Sequence, residues 1–253
     1  MSLLVLKALL TPALLGAAML VTSRWGDRAG GWLLGLPLVS GPVSVLLLME
    51  HGQRFAVSAA HSSLVGFIAG GAFCACYATT SERYAWPVSL GASTIALLAT
   101  AWVLSPLELD WLRSGLLVAA MLALLARTVH DRPASARKMR LRKRDITLQF
   151  LIAGVLVVAL TSFAGALGSH LAGLLAPLPV VSALMATASI RRSGGGAANE
   201  LLRGAVAGSW GGAAFFAVAG ALLGVFGPVA VYATATAAAI AASGASARML
   251  PGT

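Results

Sequence analysis

Five ionisable side chains lie within or at the edges of long apolar stretches, where a charge is costly and marks a candidate functional position. They are Glu50, His61, His170, Glu200 and Arg203. An imidazole near a carboxylate can exchange a proton close to neutral pH, so His61 with Glu50 or Glu200 is the first choice for proton coupling. Arg203 follows Glu200 by about one helical turn and can pair with it or meet an anion. The alternative for His61 is a hydrogen-bonded structural role, and for His170, Glu50 and Glu200 a position at the water boundary.

Two apolar segments carry paired prolines, at residues 37 and 42 and at residues 177 and 179. A proline removes a backbone donor and displaces the carbonyl four residues earlier, so each segment should open its helix. Freed backbone groups inside a membrane are tolerated only where protein or a cavity satisfies them, which favours a binding site; the alternative is two kinked helices that only pack. The predicted substrate-binding residues are Pro37, Ser40, Gly41, Pro42, Pro177, Pro179 and Ser182.

The composition is that of a polytopic membrane protein. Of 253 residues, 58% are hydrophobic and 10% are charged, and the mean hydropathy is +0.88. These values exclude a soluble enzyme and a secreted disulfide scaffold. Cys74 and Cys76 lack the spacing of a zinc or redox site and are predicted to be small core residues. No metal ion or cofactor is expected.

Nine segments are apolar and long enough to cross a bilayer when the chain is cut at its charges and turn formers, and a tenth results if a broken helix counts as two. The sequence therefore predicts an all-α fold. The segments are Leu3–Thr22, Gly31–Met49, Phe55–Thr79, Ala85–Leu104, Trp111–Val129, Ile146–Ala164, Leu167–Ser189, Ala198–Leu223 and Phe226–Ala245.

The basic residues orient the chain, because Lys and Arg are retained on the cytoplasmic side. With nine spans, fifteen of the 18 Lys and Arg residues fall on one side, and Lys7, Arg54 and Arg113 fall on the other. The prediction is an outside N-terminus and a cytoplasmic C-terminus. Seven of the fifteen lie in Arg132–Arg144, a loop expected to contact anionic lipid headgroups. No aromatic interleaving accompanies the run, so nucleic-acid binding is not expected.

A repeat is predicted from the glycines. An offset of 138 residues superposes five of the ten glycines between Gly16 and Gly71 on later glycines. Spans one to four (residues 1–104) form the first copy, residues 105–145 hold a linker span and the basic loop, and residues 146–253 form the second copy. Five spans separate equivalent helices, so the second copy must be inverted. This architecture is similar to that of inverted-repeat secondary transporters.

Small residues recur on one face of two helices, at Gly66-x-x-x-Gly70 and at Gly204-x-x-x-Gly208-x-x-x-Gly212. Such a face lets another helix backbone approach closely. Contacts between the two copies or with the broken helices are favoured over dimerisation, because both copies carry the motif. A homodimer through these faces is the alternative.

Residues 171–208 resemble a known group of membrane proteins. The stretch Leu171-Ala-Gly-Leu-Leu-Ala-Pro-Leu-Pro-Val-Val, followed by Leu202-Arg-Gly-Ala-Val-Ala-Gly208, is similar to small GlpM-type integral membrane proteins and related bacterial families. The resemblance implies a location in the bacterial inner membrane. It implies no site residue.

These features together predict a secondary transporter or exporter of a small neutral or anionic organic solute, with proton coupling as one option. The alternatives are a non-catalytic membrane subunit in envelope biogenesis and, ranked lower, a lipid-modifying membrane enzyme. The enzyme ranks lower because no nucleophile–base pair or acidic dyad lies within a span.

Overall fold

The computed structural model describes residues 27–38, 40–105, 110–128, 155, 158, 162–177, 179–193 and 195–248, and these residues form helices and turns without a strand. The predicted all-α fold is confirmed. The predicted span Leu3–Thr22, the basic loop Arg132–Arg144 and most of Ile146–Ala164 lie outside these ranges. The helices are α1 (Asp27–Gly35), α2 (Ser40–His51), α3 (Gln53–Thr80), α4 (Trp86–Leu104), α5 (Trp111–Thr128), α6 (Ser162–Leu175), α7 (Val180–Ser193), α8 (Gly195–Leu222) and α9 (Pro228–Arg248).

Five stretches of the described chain are long and apolar enough to cross a membrane. One of them joins α1 and α2 across their break, and the others correspond to α3, α4, α8 and α9. Two shorter apolar helices lie in α5 and α6. A membrane protein is therefore indicated by five candidate spans, where the sequence predicted nine.

The two longest helices, α3 and α8, form the centre of the bundle and run antiparallel. Gln53, at the start of α3, donates from its side-chain amide to the carbonyl of Leu223, just past the end of α8. At the other end, Gly195 lies against the Ser81 carbonyl. We call these two sides of the bundle the Gln53 end and the Ser81 end.

The peripheral helices are α4 and α9. Their apolar stretches are only 22% and 28% buried, whereas those of α3 and α8 are 67% and 56% buried. Exposed side chains on the outer helices include Trp102, Leu98, Val229 and Ile240. An apolar outer surface around a more buried centre suits a lipid environment.

Both predicted helix breaks are present. The first separates α1 from α2 at residues 36–39, and the second separates α6 from α7 at residues 176–179. Each break re-enters a helix through a proline carbonyl, since Gly41 N–H donates to Pro37 O at 2.9 Å and Ala183 N–H donates to Pro179 O at 2.7 Å. Pro42 differs from expectation. It lies in the first turn of α2, where a missing N–H costs no helical hydrogen bond, and so it is not part of the break.

The glycine faces pack against helices of the same chain, as favoured over dimerisation. A Cβ on Gly208 would overlap the Trp32 carbonyl in α1, and a Cβ on Gly66 would lie 2.7 Å from the Leu174 carbonyl in α6. Gly35 also lies against Gly208. The backbones of the broken helices thus touch the backbones of α3 and α8.

A cysteine pair tests the packing of α6 on α3. The hydroxyls of Ser58 and Ser169 are 2.9 Å apart, so Ser58→Cys with Ser169→Cys should form a disulfide under mild oxidation. Cys74 and Cys76 are replaced by Ala in this variant, and cross-linking is read from the gel shift of a protease-nicked protein. The control pair is Ser58→Cys with Thr94→Cys on α4. Equal cross-linking of both pairs would contradict the packing.

Candidate functional site

The two helix breaks flank the centre of the bundle. Gly66 and Gly208 are each the fourteenth residue of a 28-residue helix, so they mark the midpoints of α3 and α8. Pro177 of the second break packs on Gly66, with its Cγ 2.8 Å from the position of a glycine Cβ. The end of α1 at Gly35 packs on Gly208. Each break therefore lies halfway along a central helix.

Four of the predicted substrate-binding residues lie beside these midpoints. Ser40 and Ser182 are buried at the starts of α2 and α7. Gly41 lies near Phe215 of α8, where a Cβ would be 3.5 Å from the ring. Pro177 contacts Gly66, as above. None of the seven predicted residues lines the cavity described next.

A cavity of about 590 Å³ lies at the Gln53 end of the bundle. It is formed between the first turns of α3, the start of α5 and the turn after α8. This volume is in the range of sites for small organic molecules. The lining residues are Gln53, Arg54, Val57, Ser58, His61, Trp111 and Gly224.

His61 connects α3 to α5 inside this cavity. One ring nitrogen is 2.9 Å from the buried Ser114 hydroxyl, and the imidazole lies 4.5 Å from the Trp111 ring. Trp111 in turn reaches α8, because a Cβ on Gly220 would overlap its indole. His61 is held in place by these contacts, which agree with the structural alternative and leave one face of the site open to the cavity.

The predicted coupling residues fall into two groups at opposite ends. His61 and His170 lie close enough to interact electrostatically, and His170 also bonds the Ser62 hydroxyl at 3.0 Å. Glu50, at the end of α2, belongs to the same end of the bundle. Glu200 and Arg203 lie near the Ser81 end. The prediction that His61 acts with Glu200 would therefore require coupling along the whole length of the bundle.

A polar cluster closes the Ser81 end. The Asn199 amide donates to the Glu82 carboxylate at 3.0 Å, which joins α8 to the turn after α3. Glu200 and Arg203 form an ion pair at 4.0 Å, and their side chains are only 20% and 10% exposed. We call Glu82, Asn199, Glu200 and Arg203 the polar cluster. Buried charges that are paired in this way hold two elements together.

Several site residues had no signal in the sequence. Gln53, Ser58 and Trp111 line the cavity, and Glu82 and Asn199 close the opposite end, yet none stands in a motif. They are polar or aromatic residues at helix ends, where such residues are common. Their partners are 53 to 170 positions away in the chain.

Comparisons of the chain with protein-family profiles, with curated proteins and with solved structures give no match. Within the described ranges, no group of three His, Cys, Asp or Glu side chains is placed to hold a metal ion. Cys74 is buried and Cys76 half-buried, both as free thiols, as expected for core residues.

Proposed function

We propose that the chain is a secondary transporter of a small organic solute, in which two inverted repeats give alternating access to the centre of the bundle. The copies are residues 1–104 and 146–253, and α5 belongs to the linker. The observation that carries the proposal is the pair of helix breaks at the midpoints of two antiparallel central helices. Breaks at membrane depth in both halves are typical of transporter binding sites.

The sequence around the two breaks supports the repeat. Residues 31–40 read Gly-Trp-Leu-Leu-Gly-Leu-Pro-Leu-Val-Ser, and residues 173–182 read Gly-Leu-Leu-Ala-Pro-Leu-Pro-Val-Val-Ser. Six of the ten positions are identical at an offset of 142 residues. The glycines predicted an offset of 138. The two offsets differ by about one helical turn, which keeps small residues on the same face.

Contacts between the halves support the same offset. A carbonyl of one half touches a glycine of the other, and then the roles exchange, always with equivalent residues 142 positions apart. This reciprocity is what a two-fold relation between copies produces. The contacts pair Gly31 with Leu201 O and Gly173 with Ala59 O, Gly208 with Trp32 O and Gly66 with Leu174 O, and Gly212 with Gly35 O and Gly70 with Pro177 O.

The directions of the helices support inversion. At the offset of 142 residues, α3 is equivalent to α8, and these two helices run antiparallel. Copies related by an axis along the membrane normal would instead have parallel equivalents. The short helices α1 and α6 run parallel to the long helix of the other half, each in the same manner.

The two ends of the bundle differ in a way that fits one state of an alternating cycle. At the Gln53 end, Ser58 and His61 line an open cavity. Their equivalents at the Ser81 end are Glu200 and Arg203, which belong to the closed polar cluster. Equivalent surfaces that are open in one half and closed in the other are expected when access alternates.

The charges favour an outward-facing cavity. Arg54 and Arg113 lie at the Gln53 end. The Ser81 end holds most of the arginines of the described chain, which places it in the cytoplasm by the rule that positive charge stays inside. The location proposed is the bacterial inner membrane, with the C-terminus in the cytoplasm. The arginines of the Ser81 end are Arg28, Arg83, Arg127, Arg191, Arg192, Arg203 and Arg248.

The test is flux through the purified protein. Solutes that raise its melting temperature are selected first, since preferential binding to the folded state stabilises it. Their labelled forms should then enter protein-containing vesicles in a saturable manner, above the rate of empty vesicles. Absence of flux for every stabilising solute, with isolation of a stoichiometric complex from the native membrane, would favour the alternative of a non-catalytic subunit.

The serines at the two breaks are expected to matter for transport and little for folding. Ser40→Ala with Ser182→Ala should lower flux by roughly tenfold, since two lost hydrogen bonds to solute are worth about 1 kcal/mol each. The matched control is Ser93→Ala, which removes a buried hydroxyl that bonds within the peripheral α4. Equal loss of flux and of melting temperature in the double variant would mean that the serines are structural.

A further inference from the structure

We infer that the cavity at the Gln53 end binds a small organic anion, with its carboxylate at Arg54 and a flat apolar part against Trp111. The inference names the substrate class of the proposed transporter and so rests on that function. It is carried by the side chains that line the cavity and by the helix that begins there.

The charge of the cavity is positive. Among the described residues that line it, Arg54 carries the only formal charge, and no carboxylate is present. The guanidinium is exposed at the cavity, and its planar donors match the two oxygens of a carboxylate. The basic residue on the neighbouring helix is already engaged, since Arg113 pairs with Asp110 at 3.5 Å.

The backbone adds positive potential at the same place. The helix α3 begins at Gln53, and its N-cap residue, Gly52, offers no side chain to the first amide groups. The helix α5 also begins at this cavity, but there Asp110 already accepts from the Arg113 N–H at 2.8 Å. The uncapped start of α3 therefore favours an anion beside Arg54.

The remaining walls suit the body of an organic acid. Val57 and Trp111 supply apolar area, and Ser58 and His61 supply polar atoms at fixed positions. His61 is oriented by Ser114, as described above. A cavity of about 590 Å³ is larger than an inorganic anion needs and holds an aromatic acid with room for water.

Three probes of one skeleton and different charge test the inference: phenylacetate, phenylacetamide and 2-phenylethylamine. Binding to the purified full-length protein is measured by calorimetry and by thermal shift. Phenylacetate should bind at least tenfold more tightly than the other two. Arg54→Gln should weaken phenylacetate binding by at least tenfold, whereas the matched control Arg113→Gln should change it by less than twofold.

Stronger binding of the amine or the amide, or equal phenylacetate binding by Arg54→Gln and the unchanged protein, would overturn the inference. The outcome separates it from the proposed function. Phenylacetate binding that needs Arg54, without flux of any solute, supports the anion site and removes the transporter. Saturable flux of a cationic solute with no anion binding does the opposite.

Discussion

Joining Glu82→Cys to Asn199→Cys with a short bifunctional maleimide should abolish transport. These side chains are 3.0 Å apart and link the turn after α3 to α8 at the closed end of the bundle. If this end must open in every cycle, a covalent link across it traps the protein in the state that is open at the Gln53 end. Solute flux into vesicles should fall by more than tenfold. Binding of the solute from the Gln53 end should remain.

The controls isolate the link from the substitutions. Cys74 and Cys76 are first replaced by Ala, and the double variant without reagent should retain flux. Each single-cysteine variant with reagent should do so as well. The polar cluster would be a static contact, and no gate, if the cross-linked protein transported at the rate of the unlinked double variant.

Gly208→Leu should give the largest loss of stability of any single substitution considered. A side chain at this position would overlap the Trp32 carbonyl, and Gly35 lies beside it, so backbone blocks the space on two sides. Overpacking typically costs roughly 1–3 kcal/mol, and a clash with rigid backbone belongs at or above the upper end. The melting temperature in detergent and the yield of monodisperse protein should both fall sharply.

Gly91→Leu is the matched control, because nothing lies within 4 Å of a Cβ on Gly91 in the peripheral α4. It should leave both measurements unchanged. Gly66→Leu should resemble Gly208→Leu, since Leu174 and Pro177 fill the equivalent space on α3. Tolerance of Gly208→Leu with intact stability would mean that α1 does not pack on α8.

The sequence was sufficient to predict the helices and their breaks. Long apolar segments separated by charges predict spans from the thickness of a bilayer, and paired prolines predict where a helix opens. The offset of the repeat was harder to obtain. Glycines on one helix face recur about every four residues, so a shift of one turn preserves many coincidences, and the offset of 138 scored well. The ten residues around each break specify 142 more sharply, because they include a proline and a serine.

The cavity and the polar cluster could not be predicted. His61 meets Ser114 across 53 residues, and Asn199 meets Glu82 across 117, so both pairs depend on how the helices are arranged. Local spacing contains no information on such contacts. Pairing His61 with Glu200 as coupling groups overlooked that α3 and α8 are antiparallel, which puts residues at the starts of these helices at opposite ends.

Thiol accessibility at the two ends tests alternating access most directly. Single cysteines are introduced as Ser58→Cys at the Gln53 end and Gly196→Cys at the Ser81 end, and their labelling by an impermeant maleimide is timed with and without Asn199→Ala. Position 58 should label fast and position 196 slowly in the unchanged background. Removing the Asn199 amide should accelerate labelling at 196 and slow it at 58, because one population gains what the other loses. Faster labelling at 196 with an unchanged rate at 58 would contradict a coupled cycle.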